Sequence, residues 1–208
     1  QFSSPINIAI PSGNFGNAYS AWFGRDNGLS INEIFCASNV NDVLTRFIST
    51  GKLEPKETIP SVAPSMDIQI PSSLERLIYN FEGDASSFYD QLQNEKIAKL
   101  SEESVVKLQN IFSSLSFNDE MILKEIDLFY KNYGWVIDPH TATALSSSVT
   151  FSSTLPVVGV ATASPEKFSD VISKTIDEFR VENTKNEEKY FVQKANSSLV
   201  ENTIKECL

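Results

Sequence analysis

The pattern of apolar and polar positions in the first fifty residues predicts alternating strands and helices. Residues 6–10 and 31–37 form short apolar runs rich in β-branched side chains, which are typical of buried strands. Each run is followed by a turn and then by apolar residues at helical spacing, over 18–27 and about 41–49. Strand–helix–strand–helix at this spacing predicts a parallel sheet of the α/β class with flanking helices.

The pattern changes in the middle of the chain. From residue 71 to residue 134 apolar positions recur three or four apart, which predicts an all-helical insertion. After it we expect a strand at 135–137, a helix over 138–148, a strand at 156–161 and a helix over 164–180. The predicted division is an α/β domain over 1–70, the helical insertion over 71–134, a return to the α/β domain over 135–181 and a carboxyl-terminal tail over 182–208.

Composition and charge exclude some classes of function but do not identify one. The 208 residues are 41% apolar and 21% charged, as in an ordinary globular chain. The formal net charge of −10 repels phosphate backbones and anionic lipids, so we expect neither nucleic-acid nor membrane binding as the main function. Cys36 and Cys207 match no metal-ligand spacing and fit a reducing, cytoplasmic location. His140 is the single histidine and cannot build a zinc site alone.

The strongest local signal is the turn between the first strand and the first helix, which contains Gly13, Asn14, Phe15, Gly16 and Asn17. Glycines let backbone N–H groups approach an anion, and the positive end of the following helix adds to the attraction. The turn lacks the lysine of a Walker loop and the glycine spacing of a dinucleotide fingerprint. The residues alone leave two interpretations open: a phosphate-binding turn, or a tight turn that uses glycine only for its geometry.

Polar segments also occur at three other places where strands and helices meet. Asn39, Asp42 and Arg46 follow the second strand, 64–68 forms a loop, and 138–143 begins a helix. Each segment also has a purely structural interpretation. The first would be a capped helix with a solvated arginine, the segment 64–68 a loop, and the segment 138–143 a helix cap beside a surface histidine. Because ligands of open α/β sheets bind beyond the carboxyl ends of the strands, we expect the four segments to share one crevice.

Five segments, in this order along the chain, resemble the threonine synthase family. They read PSGNFGN at 11–17, ASNVNDVLTRF at 37–47, PSMDI at 64–68, SLERL at 73–77 and DPHTA at 138–142. The resemblance extends over roughly residues 5–180. It implies a tryptophan-synthase-β-like fold, also called fold type II of pyridoxal 5′-phosphate (PLP) enzymes. It also implies conversion of O-phosphohomoserine and water into threonine and phosphate.

The resemblance also implies roles for individual residues. The stretch 13–17 matches the loop that holds the cofactor phosphate, and Thr141 matches the hydroxyl near the pyridine nitrogen. A neutral hydroxyl there would leave that nitrogen unprotonated and restrain the ring as an electron sink. Asn39, Asp42 and Arg46 match a motif near the active-site edge and are the expected substrate-binding residues.

The sequence departs from the family pattern at two places. The family's Schiff-base lysine precedes the phosphate loop, and no lysine of this sequence has that context. The chain therefore resembles the carboxyl-terminal part of the enzyme, and we expect it to be inactive alone and to need the amino-terminal part of the same polypeptide. The second departure is at 162–165, which reads TASP where the family has TAHP, and Ser164 can cap the next helix instead.

Three other functions remain open from the sequence. A threonine-synthase-like phospholyase would use the same cofactor and substrate but would release phosphate and a keto acid. A non-catalytic protein could keep the fold as a binding module. A generic phosphate- or nucleotide-binding domain would account for the glycine turn alone, but the order of the other motifs argues against it.

Overall fold

The computed structural model describes residues 4–148, 154–180, 196–199, 201 and 205 of the chain. The strands are β1 (Ile6–Pro11), β2 (Ile31–Ser38), β3 (Lys52–Leu53), β4 (Ala98–Lys99), β5 (Phe112–Ser116) and β6 (Val157–Gly159). The helices are α1 (Gly16–Asp26), α2 (Val43–Thr50), α3 (Leu74–Glu82), α4 (Ser86–Glu95), α5 (Glu102–Gln109), α6 (Asp119–Tyr133), α7 (Pro139–Ser148) and α8 (Ser169–Ile172).

A four-stranded parallel sheet in the order β5-β2-β1-β6 is the centre of the fold. Because all four strands run the same way, the turns that follow them meet at one edge. The N–H of Ser12, directly after β1, donates to the carbonyl of Ala37 in β2 at 2.8 Å. The N–H of Phe117, directly after β5, donates to the carbonyl of Ser38 at 2.9 Å. The predicted α/β class is confirmed, and the turns after β1, β2 and β5 lie at the same edge of the sheet. The shared crevice remains a prediction.

Alternating side chains of the sheet feed two apolar clusters on its opposite faces. Ile34 and Cys36 belong to the cluster that packs with α1 to α5, whereas Phe35 and Ala37 belong to the cluster with α6, α7 and α8. This alternation follows from the period of two in a strand. Both faces are therefore covered, as parallel sheets require. Burial raises the pKa of the Cys36 thiol far above its usual range.

The segment 71–134 is not all helical, contrary to the prediction. It contains β4, which pairs with β3, and β5, which extends the main sheet beside β2. Helix α5 ends at Gln109, so Ile111 and Phe112 continue the apolar spacing of that helix without belonging to it. Spacing over a few apolar residues does not distinguish a strand from a buried helix end. The division into domains remains a prediction.

The expected elements near the carboxyl end are also partly wrong. Residues 135–137 form no strand, and Trp135 is 75% exposed. The expected long helix over 164–180 is a short 3-10 turn at Pro165–Phe168 followed by the single-turn helix α8. The tail over 182–208 lies almost wholly outside the described residues. Among the described helices, none is long and apolar enough to cross a bilayer.

Candidate functional site

The turn after β1 is held in place by a buried aromatic side chain. Phe15 has a left-handed backbone, with φ 69°, and directly precedes α1. Its ring is 1% exposed and packs on Phe112 with 5.3 Å between the ring centroids. This packing offsets the strain of a left-handed conformation in a residue other than glycine. The Phe15 side chain therefore anchors the turn to the core.

Gly13 is needed because another stretch of backbone passes over it. We call residues 61–68 the crossing segment. A Cβ atom on residue 13 would lie 2.9 Å from the Cα of Met66 and 3.1 Å from the carbonyl oxygen of Ser65. A Cβ atom on residue 16 would instead meet only the Oγ of Ser73, at an ordinary 3.6 Å. The two glycines of the turn thus have different roles, and only Gly13 is demanded by close packing.

Asn14 ties the turn to the start of α3. Its side-chain oxygen accepts hydrogen bonds from the backbone N–H and the hydroxyl of Ser72, both at 3.3 Å. Its carbonyl accepts from the N–H of Ser73 at 3.0 Å. The neighbouring Asn17 lies exposed in the first turn of α1. The SLERL motif singled out from the sequence is therefore a support of the turn.

Two polar features of the turn have no partner among the residues that the structure describes. One is the Ser12 hydroxyl, which is buried and makes no hydrogen bond to any of these residues. No side chain caps α1, and no acidic residue lies in its first turn. A buried unpaired hydroxyl and an uncapped helix end are both costly unless a ligand or water completes them. Both features favour an anion here, because N–H and O–H groups are donors and the helix end is positive.

A dense polar network follows β2 and holds the crossing segment. Asn39, which is fully buried, donates to Asp67 Oδ1 at 2.6 Å and to Ser61 Oγ at 2.7 Å. Asn41 donates to the same oxygen of Asp67 at 2.9 Å, and the backbone N–H of Ser61 donates to Asp67 Oδ2 at 3.0 Å. Asp67 is the centre of this network. Sequence reasoning placed it in a motif but did not identify its role, because its partners lie far away along the chain.

Asp42 and Arg46 form a separate group at the start of α2. Arg46 Nε lies 2.9 Å from Asp42 Oδ1, and Arg46 Nη1 donates to the carbonyl of Glu54 at 2.8 Å. The Nη2 atom of Arg46 is buried and has no hydrogen-bond partner in the described part of the chain. Of the three predicted substrate residues, Asn39 is used entirely inside the network, whereas Arg46 keeps one unsatisfied donor group.

The start of α7 is a buried acid–histidine pair. Asp138 Oδ2 lies 2.8 Å from His140 Nδ1, and Asp138 also accepts from the backbone N–H groups of His140 and Thr141. Burial acts to raise the pKa of Asp138, but hydrogen bonds from His140 and Thr141 outweigh it and hold that pKa below its usual range. The expectation of a helix cap is confirmed, whereas the surface histidine is wrong, since His140 is 3% exposed.

The hydroxyl of Thr141 is already engaged. It donates to Asp138 Oδ1 and is almost fully buried. A hydroxyl has a single proton to donate, so Thr141 would have to break this bond before it could donate to a pyridine nitrogen. The role that the family resemblance implies for Thr141 remains a prediction, and its present contact is a structural one.

The structure connects the predicted segments unevenly. The crossing segment contacts both the turn after β1 and the start of α7, because Ser65 lies against Gly13 and also donates its N–H to His140 Nε2 at 3.2 Å. Asp42 and Arg46 lie in their own group. Within the described ranges no cluster of histidine, cysteine and acidic side chains could hold a metal ion.

Comparison with known proteins identifies relatives over most of the chain. The threonine synthase of Pseudomonas aeruginosa is 31% identical over 175 residues, which are 81% of this chain and 37% of that protein. Human threonine synthase-like 1 is 32% identical over 204 residues, which are 95% of this chain and 28% of that protein. No family profile matches the chain.

Solved structures with a similar fold include threonine synthases as well. The PLP-bound threonine synthase of Brucella melitensis matches 99% of this chain with a TM-score of 0.85 and 26% identity, over 47% of that protein. The yeast threonine synthase shares the fold with a TM-score of 0.80. The chain spans between 28% and 47% of the length of these four proteins. By sequence and by fold, which is fold type II of the PLP enzymes, the chain belongs to the family of threonine synthases and threonine synthase-like proteins.

Proposed function

We propose that the protein carrying this chain is a PLP-dependent lyase that converts O-phosphohomoserine and water into L-threonine and phosphate. In this proposal the chain is the carboxyl-terminal part and contributes the turn that binds the cofactor phosphate. The observation that carries it is the pair of unpartnered features at that turn, the buried Ser12 hydroxyl and the uncapped α1. Support comes from the relationship to the PLP-bound Brucella enzyme.

The residues of the turn fit a phosphate group. Ser12 would donate its hydroxyl, and the N–H groups between Gly13 and Asn17 would surround the phosphate oxygens at the positive end of α1. No carboxylate lies in the first turn of α1 to repel it. When bound, PLP supplies the electron sink that the reaction needs. The chain's own task at this position is to orient the cofactor and neutralise its phosphate charge.

Arg46 is the proposed contact for a second anion. Its Nη2 donor is buried and unpaired, while Asp42 and the Glu54 carbonyl fix the rest of the guanidinium. A substrate with both a carboxylate and a phosphate needs such a fixed cation. Asn39 then acts as a support of the crossing segment, since all of its amide donors are used there.

The decisive experiment uses the whole protein with PLP and O-phosphohomoserine. Phosphate release and the carbon product are followed in the same reaction, by a colorimetric assay and by NMR. Threonine with equimolar phosphate supports the proposal. A protein that releases no phosphate and makes no threonine is not this enzyme, and such a result would favour a non-catalytic binding protein that keeps the fold.

A phospholyase is the second candidate, because the motifs of this chain would be the same in an enzyme that uses the same cofactor and substrate. It would release phosphate together with a keto acid instead of threonine. The same reaction mixture separates the two candidates, because the NMR spectrum of the carbon product distinguishes an amino acid from a keto acid. The residues described above would bind the same cofactor and substrate in either case.

We further propose that this chain alone is inactive, because it holds no lysine in the sequence context of the family's Schiff-base lysine. Borohydride reduction in the presence of PLP, followed by peptide mass spectrometry, tests this. A lysine between residues 1 and 208 labelled in a one-to-one ratio would contradict the proposal. Labelling of a lysine elsewhere in the whole protein would support it.

A further inference from the structure

His140 connects the start of α7 to the backbone that lies against the glycine turn. Its Nε2 atom accepts the N–H of Ser65 at 3.2 Å. The carbonyl of the same Ser65 and the Cα of the next residue, Met66, lie so close to Gly13 that a Cβ atom there would be 3.1 and 2.9 Å away. A single hydrogen bond therefore connects His140 to the backbone that packs against Gly13 and limits its position.

Asp138 selects the tautomer of His140 that can accept this hydrogen bond. A carboxylate only accepts, so the imidazole nitrogen that faces Asp138, Nδ1 at 2.8 Å, carries the proton. In the neutral ring the other nitrogen, Nε2, is then an acceptor and matches the Ser65 N–H. His140 and Asp138 are almost fully buried, at 3% and 1% exposure respectively, so water cannot easily replace either partner.

The crossing segment is thus fixed from two sides. On one side Asp67 holds it to Asn39 and Asn41 at 2.6 and 2.9 Å. On the other side His140 holds Ser65. The stretch between these two attachments, Ser65 to Asp67, is the part that packs on Gly13. If the attachment at His140 is lost, this stretch can move away from the turn although the network at Asp67 is intact.

We propose that His140, oriented by Asp138, is a positioning residue for the anion-binding turn. It acts through Ser65 and Met66 and keeps the turn in the conformation that directs its N–H groups toward the cofactor phosphate. This inference rests on the proposed binding of PLP. It predicts that the effect of His140 is found at the phosphate end of the cofactor, since that is the end the turn contacts.

The test compares two variants of the whole protein with similar reach. His140→Gln keeps an oxygen near the position of Nε2 that can accept from Ser65, whereas His140→Met fills similar space without an effective acceptor. We expect His140→Met to raise the PLP dissociation constant about tenfold. We also expect a shifted or broadened ³¹P NMR signal of the bound cofactor phosphate. His140→Gln should restore the signal and lie within about threefold of the unmodified protein.

Thr143→Val is the matched control. The Thr143 hydroxyl donates to the His140 carbonyl at 2.7 Å inside α7 and does not reach the crossing segment. Its loss should lower stability without moving the ³¹P signal. If all three variants, including His140→Met, bind PLP equally and show the unmodified ³¹P signal, the inference is wrong. If the unmodified protein binds no PLP, the proposed function is wrong instead.

A measurement on the unmodified protein guards against variants that do not fold. Hydrogen exchange of the Ser65 amide should slow at least tenfold when saturating PLP is added, because the occupied turn and the crossing segment support each other. An exchange rate of this amide that is unchanged by PLP would overturn the inference.

Discussion

The Ser12 hydroxyl, which follows β1, and the amides of Asn39 and Asn41, which follow the neighbouring strand β2, are used in opposite ways. After β2, the buried amides of Asn39 and Asn41 find partners inside the protein, with Asp67 at the centre. After β1, the buried Ser12 hydroxyl has no partner within the described ranges, and none of their side chains caps α1. A satisfied network fixes a backbone, whereas unsatisfied donors in a fixed backbone are prepared for a ligand.

The comparison shows that the two regions depend on each other. The crossing segment belongs to the network after β2 but packs against the turn after β1. A change in the network should therefore reduce both stability and ligand binding. A change in the unsatisfied groups should weaken ligand binding without lowering the stability of the ligand-free protein.

The largest effect is expected for Asp67→Ala. It leaves the buried donors of Asn39, Asn41 and Ser61 without their common acceptor, which should cost about 3 kcal/mol of unfolding free energy. Urea unfolding monitored by circular dichroism measures this. Asp127→Ala is the control. Asp127 pairs with the exposed Lys131 on the surface of α6, so its loss should cost less than about 0.5 kcal/mol. Equal effects of the two substitutions would contradict a network that carries stability.

The next effect is expected for Gly13→Ala, which connects the two regions. The added Cβ would collide with the backbone at Met66, so we expect a loss of about 2 kcal/mol and a PLP affinity reduced about tenfold. Gly16→Ala is the matched substitution for stability, because its Cβ meets only Ser73 Oγ at 3.6 Å. Thermal unfolding of both proteins and fluorescence titration with PLP measure the difference. If the Gly13→Ala protein is as stable as the Gly16→Ala protein, the crossing segment moves aside at little cost in free energy and the prediction is wrong.

A smaller effect, dependent on pH, is expected from Asp138. Its pKa is lowered on folding, so it stabilises the native state above its ordinary pKa of 3.8, and this stabilisation is lost as the pH falls through the lower native value. Asp138→Asn should lower stability by about 1.5 kcal/mol at neutral pH. It should also make stability less dependent on pH below about pH 4 than in the unmodified protein. Melting temperatures from pH 3 to 7 test this, and parallel curves for the two proteins would contradict it.

The smallest change in stability is expected for Ser12→Ala, the counterpart of Asp67→Ala. Removing a buried hydroxyl without a partner should leave the ligand-free stability unchanged or raise it by up to about 1 kcal/mol. The PLP dissociation constant should rise about threefold, because one donor to the phosphate is lost. Urea unfolding with and without PLP separates the two effects. A loss of stability in the absence of PLP would mean that Ser12 is part of the architecture.

Local patterns determined much of the α/β core. β-branched runs predicted β1 and β2, helical spacing predicted α1 and α2, and glycine and asparagine predicted the turn between β1 and α1. These signals are reliable because strand and helix periods are properties of neighbouring residues. The same reasoning was wrong for β5 and for 135–137, because a short apolar segment becomes a strand only where a neighbouring strand is available to pair with it.

The sequence by itself determined the family and the class of fold and predicted a phosphate-binding turn, since ordered motifs and local propensities are contained in the order of the residues. Only the tertiary structure decided how those motifs are used. It placed Met66 against Gly13, made Asp67 the partner of Asn39, and turned His140 toward Ser65. The reason is physical: a polar group's role depends on whether burial leaves it a partner, and the partners lie tens of residues away along the chain.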